Sequence, residues 1–127
     1  MKALIASCDA MQRYLWRREL KRMRWKVVEA KNGREAAELF LVHGDTKLVM
    51  VALEMSELDG LWLAAFVRSF PARNAVKVII VGDDALPQDK AAAIRKNAHV
   101  YLRRRVTESS LTMRLRELFL EEDRAHA

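Results

Sequence analysis

The chain predicts a doubly wound α/β domain built on a parallel sheet. Five short apolar runs alternate with helical patterns along its length. The runs lack clean apolar–polar alternation, as strands buried on both faces do. Successive strand–helix–strand units cross over right-handedly, which places helices on both sides of one sheet. A chain of 127 residues, 51% of them apolar, is long enough for one domain with its own core. No internal repeat, low-complexity tract or sign of a second domain is visible.

The elements follow in order. Lys2 to Ser7 is the first strand candidate. Ala10 to Arg24 reads as a helix, with Met11, Tyr14, Leu15 and Arg18 recurring at three- and four-residue spacing. Val27 to Ala30 is a short strand. Asn32 with Glu35 three residues on forms a capping-box pattern, and Ala36, Leu39, Phe40 and His43 continue that helix. Lys47 to Leu53 is a third, nearly all-apolar strand. Leu61 to Phe70 is the third helix, stopped by Pro71. Lys77 to Val81 is the fourth strand. Pro87 suits the first turn of a fourth helix running to about Asn97. His99 to Leu102 is the fifth strand. Thr107 caps a last helix with Leu111, Leu115 and Leu118 on its inner face. The domain is expected over residues 1–120, with 121–127 a polar tail or the start of a linker.

Composition narrows the function classes. No apolar run is long enough to span a bilayer, and no secretory signal is visible. The single cysteine, Cys8, has no internal partner, which suits a reducing cytosol. The net charge is +6, with a pI near 9.8. Between residues 13 and 26 lie Arg13, Arg17, Arg18, Lys21, Arg22, Arg24 and Lys26 against one acid, Glu19. Such a stripe suits either a solvated helix face or a polyanion such as nucleic acid, with Arg13, Arg17, Arg18 and Lys21 as contacts.

In an open parallel sheet, ligands bind beyond the carboxyl ends of the strands. Those ends are Ser7-Cys8-Asp9, Ala52-Leu53-Glu54, Gly82-Asp83-Asp84 and Arg103-Arg104-Arg105. The sequence carries Lys2-Ala3-Leu4-Ile5-Ala6, then Glu29-Ala30-Lys31-Asn32-Gly33-Arg34-Glu35-Ala36, then Met55-Ser56-Glu57-Leu58-Asp59-Gly60-Leu61, and finally Tyr101-Leu102. In that order and spacing these stretches resemble a response-regulator receiver domain of the CheY-like type, over roughly residues 2 to 120. The resemblance implies a flavodoxin-like five-stranded sheet in the order 2-1-3-4-5. It also implies a cytoplasmic role in bacterial two-component signalling.

The same resemblance implies an active site that this chain has lost. The acidic pair that holds Mg²⁺ in the family corresponds to Ser7 and Cys8, and the aspartate that accepts a phosphoryl group to Ala52. The hydroxyl residue corresponds to Gly82, the lysine to Arg104, and the proline after it to Arg105. Only Asp59-Gly60 and the aromatic Tyr101 match. Mg²⁺ requires carboxylate oxygens in near-octahedral geometry, and a methyl group is neither ligand nor nucleophile. Asp9 comes one residue late and is expected to point elsewhere. Arg104 is expected to pair with Asp9, Glu54 or Asp83. A non-proline cis bond costs roughly 2.5–4 kcal/mol, so a trans bond is expected at Arg105.

No catalytic residue, cofactor or metal is therefore expected. His43, His99 and His126 lack ligand spacing, and no phosphate-binding glycine loop is present. Asp59-Gly60 reads as turn chemistry, and Asp83-Asp84 as acids ahead of a helix. Cys8 reads either as a half-buried small residue or as a redox sensor. Of Trp16, Trp25 and Trp62, most are expected to be buried. The resemblance places docking or dimerisation on the fourth helix, fifth strand and last helix, with Gln88, Arg95, Tyr101 and Arg104 as candidate contacts. The expected function is a phosphorylation-independent receiver acting through protein contact. The alternatives are polyanion binding by the first helix and the receiver part of a larger transcriptional regulator.

Overall fold

The five apolar runs form five parallel strands, and the helical patterns between them fold back across both faces. The computed structural model describes residues 1–104 and 111–119. The order is β1 (Lys2–Ala6), α1 (Ala10–Arg22), β2 (Lys26–Ala30), α2 (Gly33–Val42), β3 (Thr46–Ala52), α3 (Gly60–Arg68), a 3-10 turn (Pro71–Arg73), β4 (Lys77–Gly82), α4 (Ala91–Asn97), β5 (Val100–Arg103) and α5 (residues 111–119). The sheet order is β2-β1-β3-β4-β5, with every pair parallel. The expectations for Arg105, Thr107 and residues 120–127 lie outside the described residues.

Strand alternation splits the core in two. Leu4, Ala6, Val49, Val51, Val78 and Ile80 face one side, against Ala36 and Phe40 of α2, Leu63, Ala64 and Val67 of α3, and Ile94 of α4. Ala3, Ile5, Leu48, Met50, Ala52, Ile79 and Val81 face the other, against Trp16 and Leu20 of α1 and Leu111 and Leu115 of α5. Burial on both faces explains the continuous apolar runs.

Three expectations are corrected here. The stripe Met11, Tyr14, Arg18 faces solvent, with Met11 62% and Tyr14 46% exposed, while α1 buries Gln12, Trp16 and Leu20. Arginines flanking the buried side of α1 hid the true inner face. The helix also stops two residues early. Arg24 takes a left-handed φ of 67°, and its neighbour Trp25 donates its N–H to Leu20 O at 3.0 Å, a turn that lets β2 begin at Lys26. Lastly, α4 starts at Ala91, so Pro87 and Gln88 precede it. Asp83 and Asp84 precede its first residue by eight and seven positions, and no side chain caps it.

Side-chain caps start α2 and α3. Asn32 Oδ1 accepts from Glu35 N–H at 2.8 Å, and Glu35 Oε1 accepts from Lys31 N–H at 3.3 Å. Asp59, read from sequence as a turn residue, is the N-cap of α3 and accepts from Trp62 N–H at 2.9 Å. The following Gly60 packs on the end of β3, where an added Cβ would fall 2.3 Å from Ala52 O. This contact sets the β3–α3 loop against the carboxyl edge of the sheet. Asp59→Ala should cost about 1 kcal/mol, read as a lower urea midpoint at unchanged slope.

Arg68 ties the opposite end together. It donates to Asn97 O at 3.1 Å and Val76 O at 2.9 Å, and its Nη2 lies 2.7 Å from His99 Nδ1. Val78 N–H also donates to that nitrogen, at 3.1 Å. His99 as a residue is exposed, but its Nδ1 faces the Arg68 and Val78 donors. Burial of the ring, then the charges of Arg68 and Lys77, push the His99 pKa from 6.5 down to about 4. The unfolded chain therefore binds a proton that the folded chain refuses between these values. The contribution is complete above the unfolded pKa and is lost as pH falls from 6.5 toward 4. Thermal unfolding should show the wild type losing more stability than His99→Gln over that fall.

Candidate functional site

The carboxyl ends of β1, β3 and β4 surround a cleft of about 110 Å³. Its walls include Ser7, Cys8, Ala52, Gly82 and Arg104, joined by Asp9, Gln12, Glu54 and Asp83. The five residues expected to form the altered pocket are thus brought together. Parallel register does this: Ala6 lies beside Val51, Ala52 beside Val81, and Gly82 beside Arg103.

Each wall has a local cause. Ser7 is buried at the end of β1, and its hydroxyl donates to Gln12 Oε1 at 2.6 Å. Gln12 was not singled out from the sequence. Its signal was the 12-16-20 spacing with Trp16 and Leu20, which the surrounding charges masked. Cys8 is exposed, and its sulfur accepts from Ser56 N–H at 3.3 Å, linking the β1–α1 and β3–α3 loops. Ala52 is 7% exposed and belongs to the apolar cluster under α1. The floor of the cleft is therefore a methyl group continuous with the core.

Asp9 departs from expectation by turning toward the cleft. One carboxylate oxygen caps α1, accepting from Met11 N–H at 2.9 Å and Gln12 N–H at 3.3 Å. The other accepts from the Arg104 guanidinium. The Gln12 N–H, followed by Arg104 and Met11, holds the Asp9 carboxyl below its ordinary pKa. Arg104 also reaches Asp83 at 3.7 Å. Glu54, the third expected partner, pairs with Lys90 at 3.7 Å. One guanidinium thus bridges acids from the β1–α1 and β4–α4 loops across the mouth.

The donor set does not fit Mg²⁺. Ser7 offers a hydroxyl already donating to an amide, Cys8 a thiol and Ala52 a methyl, and the nearby Asp9 is engaged by backbone N–H groups and Arg104. Among the described residues, no group of three His, Cys, Asp or Glu is arranged to hold a metal ion.

Tyr101 packs its ring toward Gly82 and donates its hydroxyl to Asp84 O at 2.9 Å. Burial, then the charges of Asp84 and Asp83, raise its pKa. Arg95 is exposed on α4, and Gln88 on the turn before it. Trp16 and Trp25 are buried, whereas Trp62 is 40% exposed and stacks on Phe66 at 5.1 Å.

The basic stripe is partly consumed within the molecule. Arg17 and Arg13 both pair with Glu29 on β2, Arg13 at 3.6 Å. Arg13 also donates to Ser7 O at 2.5 Å. Arg18 and Lys21 stay exposed, and Arg18 lies over the Tyr14 ring at 5.9 Å.

The family model for the response regulator receiver domain matches residues 3–116. The chain belongs to this family. The receiver is 26% identical to the chemotaxis protein CheY1 of Helicobacter pylori over 116 residues, covering 91% of this chain and 94% of that protein. It is 36% identical over 77 residues to a gliding motility regulatory protein of Myxococcus xanthus. That match covers 60% of this chain but only about a tenth of the relative's length. The solved CheX–CheY–BeF₃–Mg²⁺ complex of Borrelia burgdorferi superposes with a TM-score of 0.83 at 16% identity, covering 94% of this chain and 89% of that one. This likeness shows the fold alone. The receiver is a signal-transduction domain with the CheY-like sheet order, and no helix among its described residues is long and apolar enough to cross a membrane.

Removing the bridging cation tests the cleft electrostatics. Arg104→Ala should raise the Asp9 pKa only part of the way to the ordinary carboxylate value, because the α1 N–H groups remain. Carboxyl-carbon NMR against pH measures it. Since the folded Asp9 pKa is depressed, the variant should lose less stability than wild type as pH falls through the acid range.

Proposed function

We propose that this receiver signals without phosphorylation, through protein contact, and has no enzymatic role. The observation that carries the reading is Ala52: its methyl lines the cleft and is packed into the apolar core beneath it, at the position that the resemblance aligns with the family's acceptor. Phosphoryl transfer needs a nucleophile and charge neutralisation by a metal or cations. Here the nucleophile is missing, and Arg104 is already engaged by Asp9 and Asp83.

The output surface in this reading is α4, β5 and α5, carrying Arg95 and Tyr101, with Gln88 beside it. A second copy or a separate protein would dock there. The CheY of Borrelia burgdorferi in complex with CheX supports protein contact as a mode of output for this fold. Polyanion binding by α1 is the weaker reading, because Arg13 and Arg17 are both drawn into pairs with Glu29 and their net charge is reduced.

The decisive experiment is an NMR titration of the labelled domain with Mg²⁺ and beryllofluoride, a phosphoryl mimic. No saturable shift is expected at Ser7, Ala52 or Arg104. Saturable shifts there would overturn the reading. The docking face is tested by sedimentation: Arg95→Glu should weaken self-association if copies pair through α4.

A further inference from the structure

We infer that the groove between α2 and α3 is a homodimer interface, closed by a second copy of this receiver under two-fold symmetry. The inference goes beyond the reading of α4, β5 and α5 as an output face and does not rest on it. Pairing through α2 and α3 leaves that output face open to a separate protein.

Two helical stripes build the groove. On α2, Gly33, Ala37, Phe40 and Leu41 recur at three- and four-residue spacing on one side. Two contacts identify that side as the one toward α3. A Cβ at Gly33 would fall 1.7 Å from Leu58 O, and the Phe40 ring lies 6.2 Å from Phe66 and 5.8 Å from Phe70. From α3, Trp62 stacks on Phe66 along the same groove. The rings fill its floor, but its rim is apolar and open to solvent. Leu41 is 57% and Leu58 39% exposed, and Trp62 is exposed between them and the outer face of α3. Leu58 keeps that place in a left-handed φ of 74°, uncommon for a bulky side chain.

Charge decides the occupant. The chain is 31% charged, yet α3 carries one charged residue, Arg68, which donates to the carbonyls of Asn97, Asn74 and Val76. The outward positions of α3 beyond Trp62 are the small Ala65 and Ser69, over which a second helix can approach closely. An aromatic face without free charge has the composition of an interface core. Two-fold pairing sets one surface against itself, so the charges around that core must complement their own copy. On α2 they do. Arg34 and Glu38 stand one turn apart, both largely exposed, at 3.6 Å from each other. With the two copies of α2 antiparallel, Arg34 of each copy meets Glu38 of the other, and the axis crosses α2 midway between them. The net charge of +6 repels a second copy elsewhere, whereas Gly33–Val42 carries one cation against two acids. Two copies therefore meet there with the least repulsion, and a polyanion has no cationic surface there to bind.

Sedimentation of the intact chain across a dilution series should show a monomer–dimer equilibrium. Trp62→Ser should weaken the dimer by roughly tenfold or more, as removal of a central interface aromatic does. Arg34→Glu and Glu38→Arg should each sediment as monomers, because each sets like charges together across the two-fold axis. Mixed in equal amounts, these two variants should regain the dimer, since every contact then joins opposite charges. Recovery on mixing also shows that neither variant has unfolded. A chain that stays monomeric at the highest concentration would overturn the interface, as would single variants that dimerise like the parent or a mixture that stays monomeric. Dimerisation lost in Arg95→Glu but kept in Arg34→Glu and Glu38→Arg would overturn it too, by placing the contact on α4. Failure of the phosphorylation-independent reading would appear separately, as beryllofluoride shifts in the cleft, which sedimentation of these variants does not read.

Discussion

Two-sided burial of the parallel sheet is the constraint on which the other features depend. Strands β1, β3 and β4 are covered on both faces, so their side chains are apolar on both and the polar ends of the strands gather at one edge. That edge is where α1, α3 and the loops converge. Capping by Asp9 and Asp59 and the packing of Gly60 on Ala52 O position those loops. The cleft is therefore a by-product of the way the core is closed, and its chemistry depends on a few residues at strand ends.

At this edge the apolar core meets the charged mouth of the cleft. Ala52 extends the α1-side core to the cleft floor, and Ser7 donates inward to Gln12. What remains charged is satisfied locally by the Asp9–Arg104–Asp83 bridge. An exposed pair of this kind adds little stability. Its consequence is geometric: a cation shared by two loops limits where either can go. One strand away, the Tyr101 ring fills the space that Gly82 leaves.

Much of the site was readable because it follows from periodicity and order. Ser7, Cys8, Ala52, Gly82 and Arg104 sit at strand ends, and parallel register brings strand ends together whatever the side chains are. The inner face of α1 was harder. Arginines at 13, 17 and 18 flank the buried 12-16-20 face, and a buried glutamine gives no apolar signal. The start of α4 was misplaced because Pro87 is compatible with both a helix start and a turn. The side chain of Asp9 depended on a partner 95 residues away.

The sequence by itself determined the element order, the parallel sheet, the family resemblance and the absence of a carboxylate at Ala52, since each is a property of residue types at fixed spacing. Only the tertiary structure decided which acid Arg104 meets, that Glu29 takes up Arg13 and Arg17, and that Tyr101 occupies the space over Gly82. Those outcomes are contests between long side chains for partners brought near by folding. Local spacing does not encode distances across strands.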